Sequence, residues 1–106
     1  MSKYKVNRGQ YFDRDIDKIC AYLYANDYPE SVILNCLENF YASMALLSEH
    51  PRASASLSNK TTIPNNYRYL VSGQYLLFYK VFDAEKIVKV YHVFHSKENY
   101  LVKLGL

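Results

Sequence analysis

The chain has 106 residues, 50% of them hydrophobic and 22% charged, with a formal net charge of +3. That length supports one hydrophobic core and is too short for two, and the absence of any low-complexity tract argues against a disordered chain. No apolar run approaches membrane-spanning length and Met1-Ser2-Lys3-Tyr4-Lys5 lacks the apolar centre of a signal peptide, so a cytoplasmic protein with no membrane association is expected.

Tyr4-Lys5-Val6 alternates apolar and polar and predicts a short first strand, closed by Asn7-Arg8-Gly9. A helix follows. Asp13 caps it or sits in its first turn beside Asp15 and Asp17, and Ile16, Ile19, Cys20 and Leu23 fall on one face. Asn26-Asp27-Tyr28-Pro29 interrupts the pattern, and proline suits the first turn of a second helix because its missing N–H costs nothing there. That helix is expected from Pro29 to Ser48, on a stripe of Val32, Cys36, Phe40, Met44 and Leu47 widened by Ile33, Leu37 and Tyr41. Two helices joined by so short a loop form a hairpin able to cover one face of a sheet. Cys20 and Cys36 read as reduced core thiols rather than a disulfide, and two cysteines at that spacing with no paired histidine match no common zinc site.

Residues 52–66 are rich in Ser, Asn and Thr and hold only Leu57 and Ile63 as large apolar residues. They read as a loop longer than usual, and so as mobile or part of a functional surface. Three β-rich runs come next: Tyr67–Val71, Tyr75–Phe82 and Ile87–His95, joined by Ser72-Gly73 and Asp83-Ala84-Glu85. These make an antiparallel meander. Its central run is apolar on both faces except at Lys80, as a mid-sheet strand should be. In the last run alternation sends His92 and His95 to opposite faces. The expected fold is α+β, one domain over residues 1–106, in the order β-α-α-β-β-β with the helix hairpin packed on an antiparallel sheet.

Charge is unevenly spread. Residues 1–50 carry five Lys and Arg against seven Asp and Glu, whereas residues 51–106 carry eight against three. The sheet half is therefore the surface for an anionic partner, nucleic acid or an acidic protein segment, unless its lysines are simply solvated.

With three glycines there is no phosphate-cradling loop, nor a Gly-x-Ser-x-Gly motif, so a nucleotide-binding enzyme is not expected and no cofactor or metal is implied. What remains is a polar set at the strand ends: Arg68 on the first run of the meander, and His95, Lys97, Glu98 and Tyr100 after the last. Cleaving RNA through its own 2′-hydroxyl needs a base, an acid and cations around one phosphate. His95, Glu98 or Tyr100 are suited to the proton transfers, Arg68 and Lys97 to the charge, and Tyr67, Tyr69 and Tyr91 to stacking on bases. Each has a plain alternative. His92, among Val88, Val90 and Phe94, reads as a core or edge histidine, the tyrosines as amphipathic sheet residues, and Lys97 as a solvated charge.

Three stretches carry a family resemblance: Tyr28-Pro29-Glu30-Ser31-Val32; Tyr67-Arg68-Tyr69-Leu70-Val71 with Gln74-Tyr75-Leu76-Leu77-Phe78-Tyr79-Lys80-Val81; and Val93-Phe94-His95-Ser96-Lys97-Glu98-Asn99-Tyr100-Leu101. With the order of elements, they make nearly the whole chain resemble the RelE/ParE superfamily of toxins from bacterial type II toxin-antitoxin systems. The strand pair is similar to that of the ParE-like branch, and the last stretch to its Gly-Arg-Arg-Asp-Tyr ending, with Ser96 for the glycine, Lys97 for the first arginine, Glu98 for the second and Asn99 for the aspartate. Tyr100 is retained.

The resemblance implies growth arrest, and the expected route is cleavage of ribosome-bound messenger RNA, for which Arg68, His95, Lys97 and Tyr100 are the candidate catalytic residues. The alternative is a ParE-like toxin that binds DNA gyrase and traps its cleavage complex with no active site of its own. Leu76 stands where nucleolytic relatives place an arginine and Glu98 reverses a charge, so a toxin retaining only antitoxin binding is a third outcome. On every route the resemblance implies a cognate antitoxin whose extended segment wraps the helices and sheet, which agrees with a positive sheet half offered to an acidic segment.

Overall fold

The computed structural model describes residues 3–106; Met1 and Ser2, at which the signal-peptide reading begins, lie outside the described residues. The elements are β1 (Lys5–Arg8), α1 (Gln10–Ala25), α2 (Glu30–Glu49), β2 (Ala55–Ser56), a 3-10 turn (Leu57–Asn59), β3 (Arg68–Ser72), β4 (Tyr75–Phe82), β5 (Ile87–His95) and α3 (Tyr100–Lys103). The five strands form one sheet in the order β1-β5-β4-β3-β2. The meander is antiparallel as expected, but β1 lies parallel to β5, so the sheet is mixed. The helix hairpin consumes the intervening chain, and β1 completes the sheet on the far side of the last strand, a pairing that no local pattern encodes.

The chain turns from β1 into α1 at Gly9, whose amide donates to the Val90 carbonyl at 2.9 Å. A Cβ at Gly9 would meet that carbonyl oxygen at 3.4 Å, so the turn into the helix passes close over β5. This early turn makes Gly9 the N-cap and starts α1 three residues before Asp13, which lies in its first turn. Pro29 is likewise the N-cap of α2 rather than a member of it. The buried face of α2 is Ile33, Phe40, Met44 and Leu47, while Val32 is 42% exposed, so at its N-terminal end the stripe runs one residue later than expected.

Two apolar clusters lie on opposite faces of the sheet. Between sheet and helices, Phe12, Ile19, Leu23, Ile33, Phe40 and Leu47 meet Leu77, Tyr79, Val88, Val90 and Val93. Cys20 and Cys36 are free, half-buried thiols on this side, and burial pushes both above their ordinary value. On the other face Leu57, Leu76, Phe78 and Phe94 are covered by Tyr100, Leu101, Leu104 and Leu106. The C-terminal segment is thus a lid over half of the open face, which explains why β4 is apolar on both sides.

A bulge in β5 shifts the alternation. Phe78 pairs with His92 but Tyr79 with Val90, leaving Tyr91 as an extra residue. Val88, Val90 and then Val93 therefore share the helix side, while Phe94 joins the opposite cluster. In the 52–66 loop, β2 pairs with β3 through Ala55 and Ser56, and Leu57 is fully buried. Among the described residues no helix is long and apolar enough to cross a membrane.

Candidate functional site

The residues after β5 form a tight hydrogen-bonded turn. Ser96 N–H donates to the Gln74 carbonyl at 2.8 Å, and Glu98 N–H to the His95 carbonyl at 3.0 Å. Glu98 returns the contact: Oε1 accepts the His95 N–H at 3.2 Å and Oε2 accepts Lys103 Nζ at 2.5 Å. Partial burial pushes its carboxyl up, but the hydrogen bonds from Lys103 and from the His95 amide outweigh burial and hold it below the usual carboxylate range. Glu98, which reverses a charge in the motif, is thereby the clasp of the turn.

His95 is committed at both nitrogens. Nδ1 accepts the Lys97 N–H at 3.1 Å, and Nε2 lies 3.1 Å from Gln74 Oε1, to which it donates. An imidazole in this arrangement has no free nitrogen for proton transfer. Lys97 is exposed and has no ion-pair partner among the described residues. Tyr100 packs its ring 5.2 Å from Phe78, on the face away from the helices, beside the buried Leu76.

Arg68 is elsewhere. It pairs across from Tyr79, whereas His95 pairs across from Tyr75, four residues along β4 and so roughly 13 Å away at about 3.3 Å per residue. Its Nη2 donates to the Ser54 carbonyl and, at 3.4 Å, to the Arg52 carbonyl, and its buried Nε has no partner. Tyr79, fully buried, donates its hydroxyl to the Pro51 carbonyl at 2.9 Å and also meets the Ser54 hydroxyl. Arg68 and Tyr79 together fasten the segment after α2 to the sheet. The structure brings His95 and Lys97 to one end of the sheet and leaves Arg68 opposite the middle of β4.

Asp15, expected only as an acid of the first helix, and His92, expected as a core or edge histidine, face each other at the end of β5. Beyond Val90 this strand has no strand neighbour on its outer side, and the buried Asp15 of α1 takes that place: Oδ2 accepts the Val93 N–H at 3.0 Å and contacts His92 Nδ1 at 2.8 Å. The His92 ring is stacked between Tyr11, 5.2 Å away, and Phe94, 4.8 Å away. Tyr11, Asp15, Lys18 and Tyr22 recur at intervals of four, three and four along α1, so a polar, aromatic stripe beside the apolar one was there to be read.

That stripe walls a groove of about 760 Å³ between α1 and the end of β5, into which His92, His95 and Lys97 also project. Its size suits a small ligand or a peptide segment. On the open sheet face each tyrosine expected to stack on bases has a lysine over its ring: Lys80 Nζ lies 4.4 Å from the Tyr67 ring centre and 5.3 Å from that of Tyr91, and Lys60 Nζ 5.5 Å from that of Tyr69. Burial pushes the Tyr67 and Tyr91 phenols up. No group of three or more His, Cys, Asp or Glu side chains able to hold a metal occurs among the described residues.

A family model described as the ParE toxin of the type II toxin-antitoxin system parDE matches residues 8–100. Among solved structures, the chain is similar to one in the chromosomal ParDE system of P. aeruginosa, with a TM-score of 0.69 and 13% identity over 87% of this chain and 95% of that one. It is similar to a chain of the RelBE2 complex of Mycobacterium tuberculosis, with a TM-score of 0.59 and 20% identity over 90% and 93% of the two chains. A chain of the intact E. coli RelBE complex aligns with a TM-score of 0.55 and 18% identity over 90% and 99%. At these identities the structural matches speak for the fold. No curated protein matches the chain.

Proposed function

The chain belongs to the ParE toxins of type II toxin-antitoxin systems, and from that premise we propose that it arrests growth by binding DNA gyrase, in the cytoplasm, rather than by cutting ribosome-bound messenger RNA. The toxin–antitoxin complexes among its structural neighbours support a cognate antitoxin as the partner that keeps it inactive.

The observation that carries the reading is the state of Arg68, the cation matched to a catalytic position. Its Nη2 is committed to the Ser54 and Arg52 carbonyls, and its register position on β4 lies four residues, roughly 13 Å, from that of His95. Messenger cleavage asks for base, acid and cation around one phosphate. Here His95 has both nitrogens engaged, Glu98 is clasped to Lys103, and the arginine position of nucleolytic relatives holds buried Leu76. A toxin that works by contact needs none of that chemistry. It needs a rigid surface, and the turn from His95 to Tyr100, with exposed Lys97, supplies one.

The test is a reconstituted supercoiling reaction. Purified chain added to gyrase and relaxed plasmid should block supercoiling and accumulate linear, gyrase-linked DNA, and Lys97→Ala, at an exposed position, should weaken the effect at unchanged thermal stability. Full supercoiling in the presence of the chain, with specific cleavage of messenger on translating ribosomes, would restore the nuclease reading. Antitoxin binding without either effect would mark a degenerate toxin.

A further inference from the structure

The groove between α1 and the end of β5 carries three cations that no carboxylate neutralises among the described residues. Arg14, Lys18 and Lys97 are exposed and line it, and none has a carboxylate or hydrogen-bond partner among the described residues. The two carboxylates of the groove are spoken for: Asp15 by His92 and the Val93 amide, Glu98 by Lys103 and the His95 amide. The unpaired charge on this wall is therefore positive.

The same wall carries a stack of planar groups. The Arg14 guanidinium lies 5.6 Å from the Tyr11 ring centre, Tyr11 is stacked on His92 at 16° between planes, and His92 on Phe94 at 24°. At its outer end the stack presents the Arg14 guanidinium, and about 12 Å further along α1 at 1.5 Å per residue Tyr22 is 61% exposed. A guanidinium offers both charge and a flat face to a base, and an exposed tyrosine offers a second platform. His92 Nε2 has no protein partner and is not sealed from solvent, leaving a hydrogen-bonding atom at the groove. Cations without ion-pair partners beside exposed aromatic side chains, Tyr11 and Tyr22, are what a single strand of nucleic acid requires. Carboxylates alone would use the charges and leave the planes idle.

We propose that this groove binds single-stranded nucleic acid, with Arg14, Lys18 and Lys97 on successive phosphates and a base against the Arg14–Tyr11 stack or Tyr22. The site does not use Tyr67 and Tyr91 of the open sheet face, over whose rings Lys80 lies. It shares Lys97 with the surface proposed for gyrase, but its test is independent of that reading, since oligonucleotide binding is followed with no topoisomerase present.

The experiment titrates the purified full-length chain into a short fluorescein-labelled oligothymidylate and follows anisotropy over a range of salt, with labelled oligoglutamate as the second probe. Three phosphate contacts predict a slope of about −2 in log affinity against log salt. Arg14→Gln, Lys18→Gln and Lys97→Gln combined should weaken binding at least roughly tenfold and flatten that slope, and Tyr22→Ala should weaken it several-fold without changing the slope. Lys80→Gln with Lys89→Gln, on the open face, should leave binding unchanged. The exposed positions of the triple variant favour intact folding, checked by circular dichroism. No binding at low salt, equal weakening by the Lys80 and Lys89 pair, or oligoglutamate binding as tightly with the same loss in the triple variant would each overturn the proposal, the last by making the groove a site for acidic polypeptide.

Discussion

Glu98 links the protonation of one side chain to the integrity of the C-terminal turn. Its carboxyl is held below the usual range in the folded chain, so the stability it contributes is fully present above the unfolded value of about 4.3 and is lost as pH falls through the lower folded value. Thermal midpoints should therefore fall more steeply below about pH 4 for the native chain than for Glu98→Gln, which has no carboxylate to protonate. Arg68 gives a second test at this scale. Arg68→Ala leaves the Ser54 carbonyl without its charged donor and should cost about 1–3 kcal/mol in denaturant unfolding; Arg68→Lys should recover only part, because an ammonium cannot reproduce the guanidinium fork. Were Arg68 a catalytic cation, Arg68→Ala would abolish activity and leave stability untouched. At Asp15, replacement by Ala orphans the Val93 amide and the His92 ring together and should cost about 3 kcal/mol, while Asp15→Asn keeps an acceptor and should cost less.

At the scale of elements, the C-terminal segment decides whether the open face is a core or an exposed apolar patch. Removing residues 100–106 uncovers Leu76, Phe78 and Phe94, so the shortened chain should bind a hydrophobic dye and aggregate. Retained solubility with no dye binding would show that the cover is dispensable. Much of this organisation was legible in the sequence. The meander could be read because Tyr67 to Val71, Tyr75 to Phe82 and Ile87 to His95 are dense in β-branched and aromatic residues between short turns, and α2 because its apolar positions recur over twenty residues. What escaped lacks a local signal: β2 is an Ala-Ser pair recruited by β3, β1 is placed by the return of the helix hairpin, and the Tyr91 bulge is a matter of register between two strands. The candidate site was legible in part. Strand ends brought His95 and Lys97 close, but residue type could not say that Arg68 would be spent on the 52–54 carbonyls, or that a helix carboxylate would stand in for a missing strand beside His92.

For the whole molecule, the excess of cations in residues 51–106 bears on how an antitoxin would arrive. An acidic partner should associate faster as salt is lowered, by steering, while apolar contacts such as exposed Val32, Leu34 and Leu46 on α2 keep dissociation slow at high salt. Stopped-flow association at several ionic strengths separates the two effects. The central claim, a toxin that acts by contact rather than by cutting RNA, is tested most directly by inducing the chain in cells without antitoxin, then mapping gyrase-linked DNA breaks and transcript 5′ ends from the same culture. Gyrase-linked breaks should accumulate while transcripts keep their native ends; new 5′ ends within translated regions, with DNA intact, would instead identify an RNA-cleaving toxin.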